Sequence, residues 1–172
     1  MVWIDQTLRA DLFVRIAGGR DIDYQHTLPS ESVEQLKSLK SVAAVDQFRA
    51  IDITYNELPV VLATGDFSVL SQYGNLVIKS GPTAQELDQL MIGEDRALIS
   101  EAFSLKHKVS VGDNLELKTP NGLTEIKVAA IYFDYSRERG YIILDRTTFL
   151  KYYDETEINS FVIYLEDKTR LE

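Results

Sequence analysis

Residues 97–117 read ALISEAFSLKHKVSVGDNLEL. An apolar run of strand length, ALIS (97–100), is followed at once by a short helical stretch near 101–107. The chain then turns at Val111-Gly112-Asp113 and starts an alternating strand, NLELKT (114–119). Gly112 supplies a backbone conformation closed to residues with a β-carbon. Asp113 bonds nearby amides in an Asx-type turn. Together they stop the helix and launch the strand. The stretch therefore reads as scaffold, strand-helix-turn-strand, and not as a ligand or catalytic site.

Outward from this stretch, strands and helices alternate without a repeat or a low-complexity tract. Downstream, Asn121-Gly122 is a two-residue hairpin signal, because both positions tolerate positive φ. It joins NLELKT to LTEIKVAAIYFDY (123–135), and GYIILD (140–145) follows as another strand. A helix near 146–153 and a strand, SFVIYLED (160–167), close the chain. Upstream, LVIKSG (76–81) is a brief strand. Thr83 and Glu86 match a capping box ahead of Leu87, Leu90 and Met91, and Gly93 stops that helix. Residues 66–75 read as a poorly periodic connection.

The first third has a different texture. Leu12, Val14 and Ile16 alternate within 10–17, which predicts a strand. Residues 29–40 predict a helix capped by Ser30, with Val33, Leu36 and Leu39 at one-turn spacing. VAAVDQFRAIDITYN (42–56) alternates for an unusual length, Asn56-Glu57 is a turn, and LPVVLATGD (58–66) returns. The order β-α-β-β, with one helix over an antiparallel sheet, is α+β logic. Residues 66–145 then resemble a compact, mostly-β insert.

Composition excludes several classes. The 172 residues are 45% hydrophobic, enough for a core and too apolar for a disordered chain. The formal charge of −9 argues against nucleic-acid binding and peripheral membrane docking. No run approaches the ~18 apolar residues of a spanning helix. The N-terminal MVWIDQTLRADLF lacks the basic and apolar regions of a signal peptide. Cysteine is absent, so there is no thiolate or disulfide chemistry. There is no phosphate loop, GxGxxG, HExxH or GxSxG.

The remaining chemistry is sparse. His26 and His107 are far apart in sequence, and His107, beside Lys106 and Lys108, reads as complementing a helix C-terminal dipole. Asp21 and Asp23, and Asp154, Glu155 and Glu157, read as solvated acidic loops rather than calcium ligands, since the EF-hand pattern is missing. Tyr132, Phe133, Tyr135 and Tyr141 surround Arg137, Glu138 and Arg139. That group is either a recognition loop, since Tyr and Arg are favoured at interfaces, or strand residues beside a charged hairpin tip.

The order of the pieces from 97 to 145 resembles the extracytoplasmic domain of ABC transporter permeases of the MacB/FtsX-like family. Ser100-Glu101, Val111-Gly112-Asp113 and Val128-Ala129-Ala130-Ile131 hold the places of that family's motifs, with Ala130 where glycine is common. WIDQTLRADLFV (3–14) resembles the segment after its first transmembrane helix, and the strand containing Arg49 its valine-rich strand with an arginine. The resemblance implies an α+β fold: a split, sheet-plus-helix, Porter-like subdomain (1–65 and 146–172) with an inserted β-rich, Sabre-like subdomain (66–145). It implies a soluble domain on the extracytoplasmic, periplasmic face of the membrane, part of an integral membrane protein, with Trp3 near the interface.

The partners it implies are a cognate ABC ATPase, through the intact permease, and a periplasmic or outer-membrane partner or an exported substrate. ATP hydrolysis would occur in a separate subunit or domain, and this domain would contact substrate or partner and transmit motion. No catalytic, cofactor or metal residue is expected. The residues singled out are Gly112 and Asp113 as a structural turn, and Tyr135, Arg137, Arg139 and Tyr141 as a candidate partner contact. The family's domain continues with a further helix and strand, which would leave an exposed edge strand near 161–166. The rival readings are a free-standing ligand-binding or sensor module, which predicts a concave apolar pocket, and a small hydrolase, which predicts a buried carboxylate pair in a cleft.

Overall fold

The long alternating segment organises the structure. In the computed structural model, which describes residues 10–16, 24, 26–134 and 139–166, it forms one strand of 14 residues. The strands are β1 (Leu12–Arg15), β2 (Val42–Tyr55), β3 (Leu58–Gly65), β4 (Ile78–Ser80), β5 (Arg96–Ser100), β6 (Asn114–Thr119), β7 (Gly122–Tyr132), β8 (Tyr141–Asp145) and β9 (Ser160–Leu165). The helices are α1 (Glu31–Lys37), α2 (Phe67–Tyr73), α3 (Leu87–Met91), α4 (Glu101–His107) and α5 (Arg146–Tyr152). The strands make one mixed sheet in the order β1-β9-β2-β3-β8-β5-β7-β4, with β6 also paired to β7.

β2 changes partners along its length. Val42 to Phe48 pair with β9, and Arg49 to Tyr55 pair with β3, both antiparallel. β3 then pairs in parallel with β8, from Val61–Tyr141 to Gly65–Asp145. The sheet thus runs unbroken across the boundary expected between Gly65 and Asp66. Asn56 and Glu57, at φ 47° and 64°, close the β2–β3 hairpin as a primed turn requires.

The period of two sorts β2 onto two faces. On one face, Val45 joins Val33 of α1 with Ile158, Phe161 and Ile163, while Ile51, Ile53 and Tyr55 join Phe103 of α4 and Phe149 of α5. On the other, Phe48 and Ala50 join Val162 and Tyr164 of β9, Tyr141 of β8, and the apolar sides of α2 and α3. β3, β5 and β8 are covered on both faces, so their sequences read as continuous apolar runs rather than alternations. Phe67, Phe103, Phe149 and Leu98 are fully buried, each such side chain contributing roughly 2 kcal/mol from burial.

Several local expectations are corrected. Residues 66–75 contain α2: the Asp66 side chain accepts the Ser68 amide and caps it. Ser30 stands at the start of α1 without a side-chain cap bond, its backbone already helical. Glu86 accepts the Thr83 amide at 2.8 Å, but the Thr83 hydroxyl turns to the same carboxylate instead of an amide, so only half of the capping box forms. The β6–β7 turn is Pro120-Asn121, closed by the Thr119–Gly122 pair. Proline holds φ near −65°, so a primed turn is excluded, and only Gly122 takes positive φ, at 116°. β9 is no edge: β1 covers one side of it and β2 the other.

Candidate functional site

The stretch from 97 to 113 is held by its own side chains. The buried Ser100 hydroxyl accepts the Phe103 amide at 3.2 Å, which caps α4. The same oxygen accepts the Tyr141 amide at 2.9 Å, tying β5 and α4 to the start of β8. Glu101 forms an ion pair with Lys79 of β4. Lys108 ends the helix in the left-handed conformation. Gly112 has φ 94°, and the Asp113 carboxylate accepts the Ser110 amide at 2.8 Å. Gly112 and Asp113 therefore sit in the geometry expected of a turn, and nothing stands near enough for a β-carbon at Gly112 to touch. The motif alanine, Ala130, is fully buried, and its methyl lies where a β-carbon on Gly81 would collide.

The aromatic group separates into parts with different surroundings. Tyr141 is fully buried and its hydroxyl bonds that of Tyr24 at 3.0 Å, so it is a core residue rather than a surface contact; β8 is covered on both faces and leaves it no route out. Arg139 is exposed and lies 3.5 Å from the Asp52 carboxylate of β2. Tyr135 and Arg137 lie outside the described residues, as do Trp3 and the Asp21–Asp23 pair. Gly140 has φ 85°, and a β-carbon there would come within 2.8 Å of the Phe103 backbone. The surface at this end of the sheet comprises Val77, Lys79 with Phe133 beneath it, Glu101, Asp52 and Arg139. Among the described residues it mixes exposed apolar side chains, such as Val77, with charges of both signs.

The buried ionisable groups lie elsewhere. Asp145 is buried, and its carboxylate accepts the Thr147 amide at 2.9 Å, the Gly93 amide at 3.3 Å and the Phe67 amide at 3.4 Å. One carboxylate thus ties the starts of α2 and α5 to the end of α3. Asp46 is buried, accepts the Asp66 amide at 2.8 Å, and is pushed up to about 8, first by burial and then by the nearby Asp66. His107 packs edge-on to Tyr55 and against Phe103. It stands in the last turn of α4, and burial, and then Lys106, lowers its pKa, which disfavours the charged form expected at a helix end. A cavity of about 230 Å³ is lined by Lys37, residues 42–45, Asp66 and Val69. Among the described residues, no group of three or more His, Cys, Asp or Glu side chains is placed to hold a metal ion.

Sequence reading missed the polar cluster at the middle of β2. Arg49 bonds Glu155 through Nε at 2.8 Å and a terminal nitrogen at 2.5 Å, and donates to the Tyr24 carbonyl at 2.8 Å. Asn159 accepts the Ala50 amide at 2.7 Å and donates to the Tyr24 and His26 carbonyls. The one signal available was a lone charged residue, Arg49, next to Gln47 on a strand face whose other members are apolar.

No protein-family model and no curated protein matches the chain. Solved structures do match its fold. The extracellular domain of the ABC-type transporter YknZ from Gram-positive bacteria superposes with a TM-score of 0.62 at 14% identity, over 84% of this chain and 76% of that one. The periplasmic region of MacB from Actinobacillus actinomycetemcomitans gives 0.59 at 12%, over 90% and 73%. A domain of a Porphyromonas gingivalis protein described as a permease gives 0.52 at 11%, over 78% and 66%. The chain has the fold of the extracytoplasmic domains of ABC transporter permeases.

Proposed function

We propose that this chain is the extracytoplasmic domain of an ABC transporter permease, standing between two membrane-spanning segments of the parent protein. The observation that carries this reading is where the described ends leave the sheet. The Asp11 amide bonds the Ile163 carbonyl and its carboxylate accepts the Leu165 amide, while the Glu166 amide bonds the Ser41 carbonyl just before β2. Both ends therefore emerge side by side at the Val42 end of β2. The β2–β3 hairpin lies at the other end, roughly 45 Å away for 14 residues at ~3.3 Å each. A domain tethered at one pole and free at the other suits an insertion between two membrane helices. No helix among the described residues is itself long and apolar enough to cross a membrane.

In this reading the domain performs no chemistry. ATP is hydrolysed by a cognate ATPase that acts through the intact permease, and the free pole contacts a periplasmic partner or exported substrate. Motion passes along β2, the strand common to both halves of the sheet. The Porter-like and Sabre-like division is part of the same proposal. The rival, a free-standing ligand-binding or sensor module, calls for an apolar pocket of ~300 Å³ or more with converging polar groups, and a small molecule that raises the domain's melting temperature would favour it.

The test is the parent gene and its product. Apolar segments of ~20 residues flanking the domain, beside a reading frame with a phosphate loop, are expected. Glu57→Cys in the intact protein, the domain having no native cysteine, should react with a membrane-impermeant maleimide added outside intact cells. Start and stop codons tightly bounding the domain, or labelling only after lysis, would overturn the reading.

A further inference from the structure

The two halves of the sheet are joined by only two covalent crossings among the described residues. One lies in β2 between Phe48 and Arg49, where pairing passes from β9 to β3. The other is the link from 153 to 159 between α5 and β9. The polar cluster bonds these crossings to each other: Arg49 belongs to the first and Glu155 to the second, and the Asn159 side chain accepts the Ala50 amide.

The two faces of the sheet differ at this changeover. On one face the apolar cluster is continuous, with Phe48, Ala50, Val162, Tyr164 and Tyr141 in a single group. On the other, the cluster under α1 ends at Val45 and the next begins at Ile51. Gln47 and Arg49 fill the interval. An apolar pad on one side and a polar bridge on the other is the arrangement of a hinge with a latch. Arg49 is 11% exposed and Glu155 40%, so water reaches the carboxylate side and can compete for the bond.

We propose that the crossings at Phe48–Arg49 and at 153–159 form a two-stranded hinge between the half-sheets, and that the Arg49–Glu155 pair, with Asn159, latches it. The latch fixes the angle between the α1 half and the half bearing α4 and α5. Its release lets the halves swing about the apolar pad. The hinge stands apart from what the free pole contacts, so it survives failure of the transporter reading.

The experiment is a spin-label distance measurement on the 172-residue chain. Gln35→Cys on α1 and Glu116→Cys on β6 are exposed positions, one in each half, in a chain without native cysteine. The latched protein should give one narrow distance distribution. Glu155→Gln and Arg49→Met should each broaden it or add a second population, while Lys37→Met, which removes a surface ion pair with Glu34 and no bond to either crossing, should leave it unchanged. Should Arg49→Met not fold, Glu155→Gln decides alone. A distribution unchanged in folded Glu155→Gln, or broadened equally by Lys37→Met, overturns the latch. A broad distribution in the unaltered chain overturns it too.

Discussion

The Ser100 hydroxyl oxygen accepts the Tyr141 amide at 2.9 Å while capping α4 through the Phe103 amide. A single buried oxygen therefore joins two segments 41 residues apart. Ser100→Ala leaves two buried amides without an acceptor, at about 1–3 kcal/mol each for an unsatisfied group. We expect a melting temperature lower by several degrees, since about 1 kcal/mol shifts a domain of this size by ~2–4 °C. An unchanged melting curve would remove Ser100 as the tie between α4 and β8.

Gly112 and Gly140 both have positive φ, but their surroundings differ. Gly112 faces open space, whereas a methyl at Gly140 would meet the Phe103 backbone at 2.8 Å. Gly112→Ala should cost about 1 kcal/mol, the strain of a left-handed residue with a β-carbon. Gly140→Ala adds a clash with main chain and should cost several times more, on the scale of overpacking. Urea titrations of the two variants check the order, and equal midpoints would contradict it.

Asp145 holds three amides from three helix termini. Asp145→Ala should destabilise by roughly 2–4 kcal/mol, more than an ordinary cap at ~1 kcal/mol. Asp145→Asn, which keeps one acceptor oxygen, should fall between the two. Denaturation midpoints read this directly, and an alanine variant no worse than an ordinary cap loss would refute the shared role.

Buried Asp46 gives the fold a pH dependence of defined sign. Its folded pKa, about 8, lies above the ordinary 3.8, so between those values the folded state holds a proton that the unfolded state has lost. Its contribution is full below pH ~4 and falls as pH rises to about 8, by up to ~1.4 kcal/mol per unit. Asp46→Asn should flatten that loss while an amide oxygen still accepts the Asp66 N–H. His107 acts oppositely: its lowered pKa means stability is lost as pH falls through 6.5, the value of the unfolded chain. Stability measured from pH 4 to 9 in Asp46→Asn and in His107→Phe separates the two.

At the free pole, Arg139 and Asp52 form an exposed pair worth little to stability. Arg139→Ala, alone or combined with Arg137→Ala, should leave the isolated domain's melting temperature within about a degree. If the proposed permease reading holds, the same double substitution should impair transport by the intact parent protein. Full transport with both arginines removed would exclude an essential contact role for them.

Sequence reading found most strands because their signals are local. Alternation located β2, and Gly112-Asp113 located the turn before β6. Helix α2 escaped it because Asp66 caps by a single side-chain bond and the seven-residue helix offers barely two turns of periodicity. The Arg49 cluster escaped it for another reason. Its partners, Glu155 and Asn159, lie 106 and 110 residues away, and no spacing rule links them. Tyr141 was legible as an aromatic strand residue, but its burial depends on cover from both faces, which pattern alone does not supply.

What the sequence by itself determined is the local grammar: alternation of period two, glycines where the chain must turn, and short helices set between strands. These follow from backbone sterics and side-chain spacing within a few residues. The tertiary structure decided which strand lies beside which, that β2 serves two half-sheets, that both described ends meet at one pole, and that Arg49 clamps the crossings. Those outcomes depend on burying distant apolar faces together and on satisfying polar groups that no neighbour in sequence can reach.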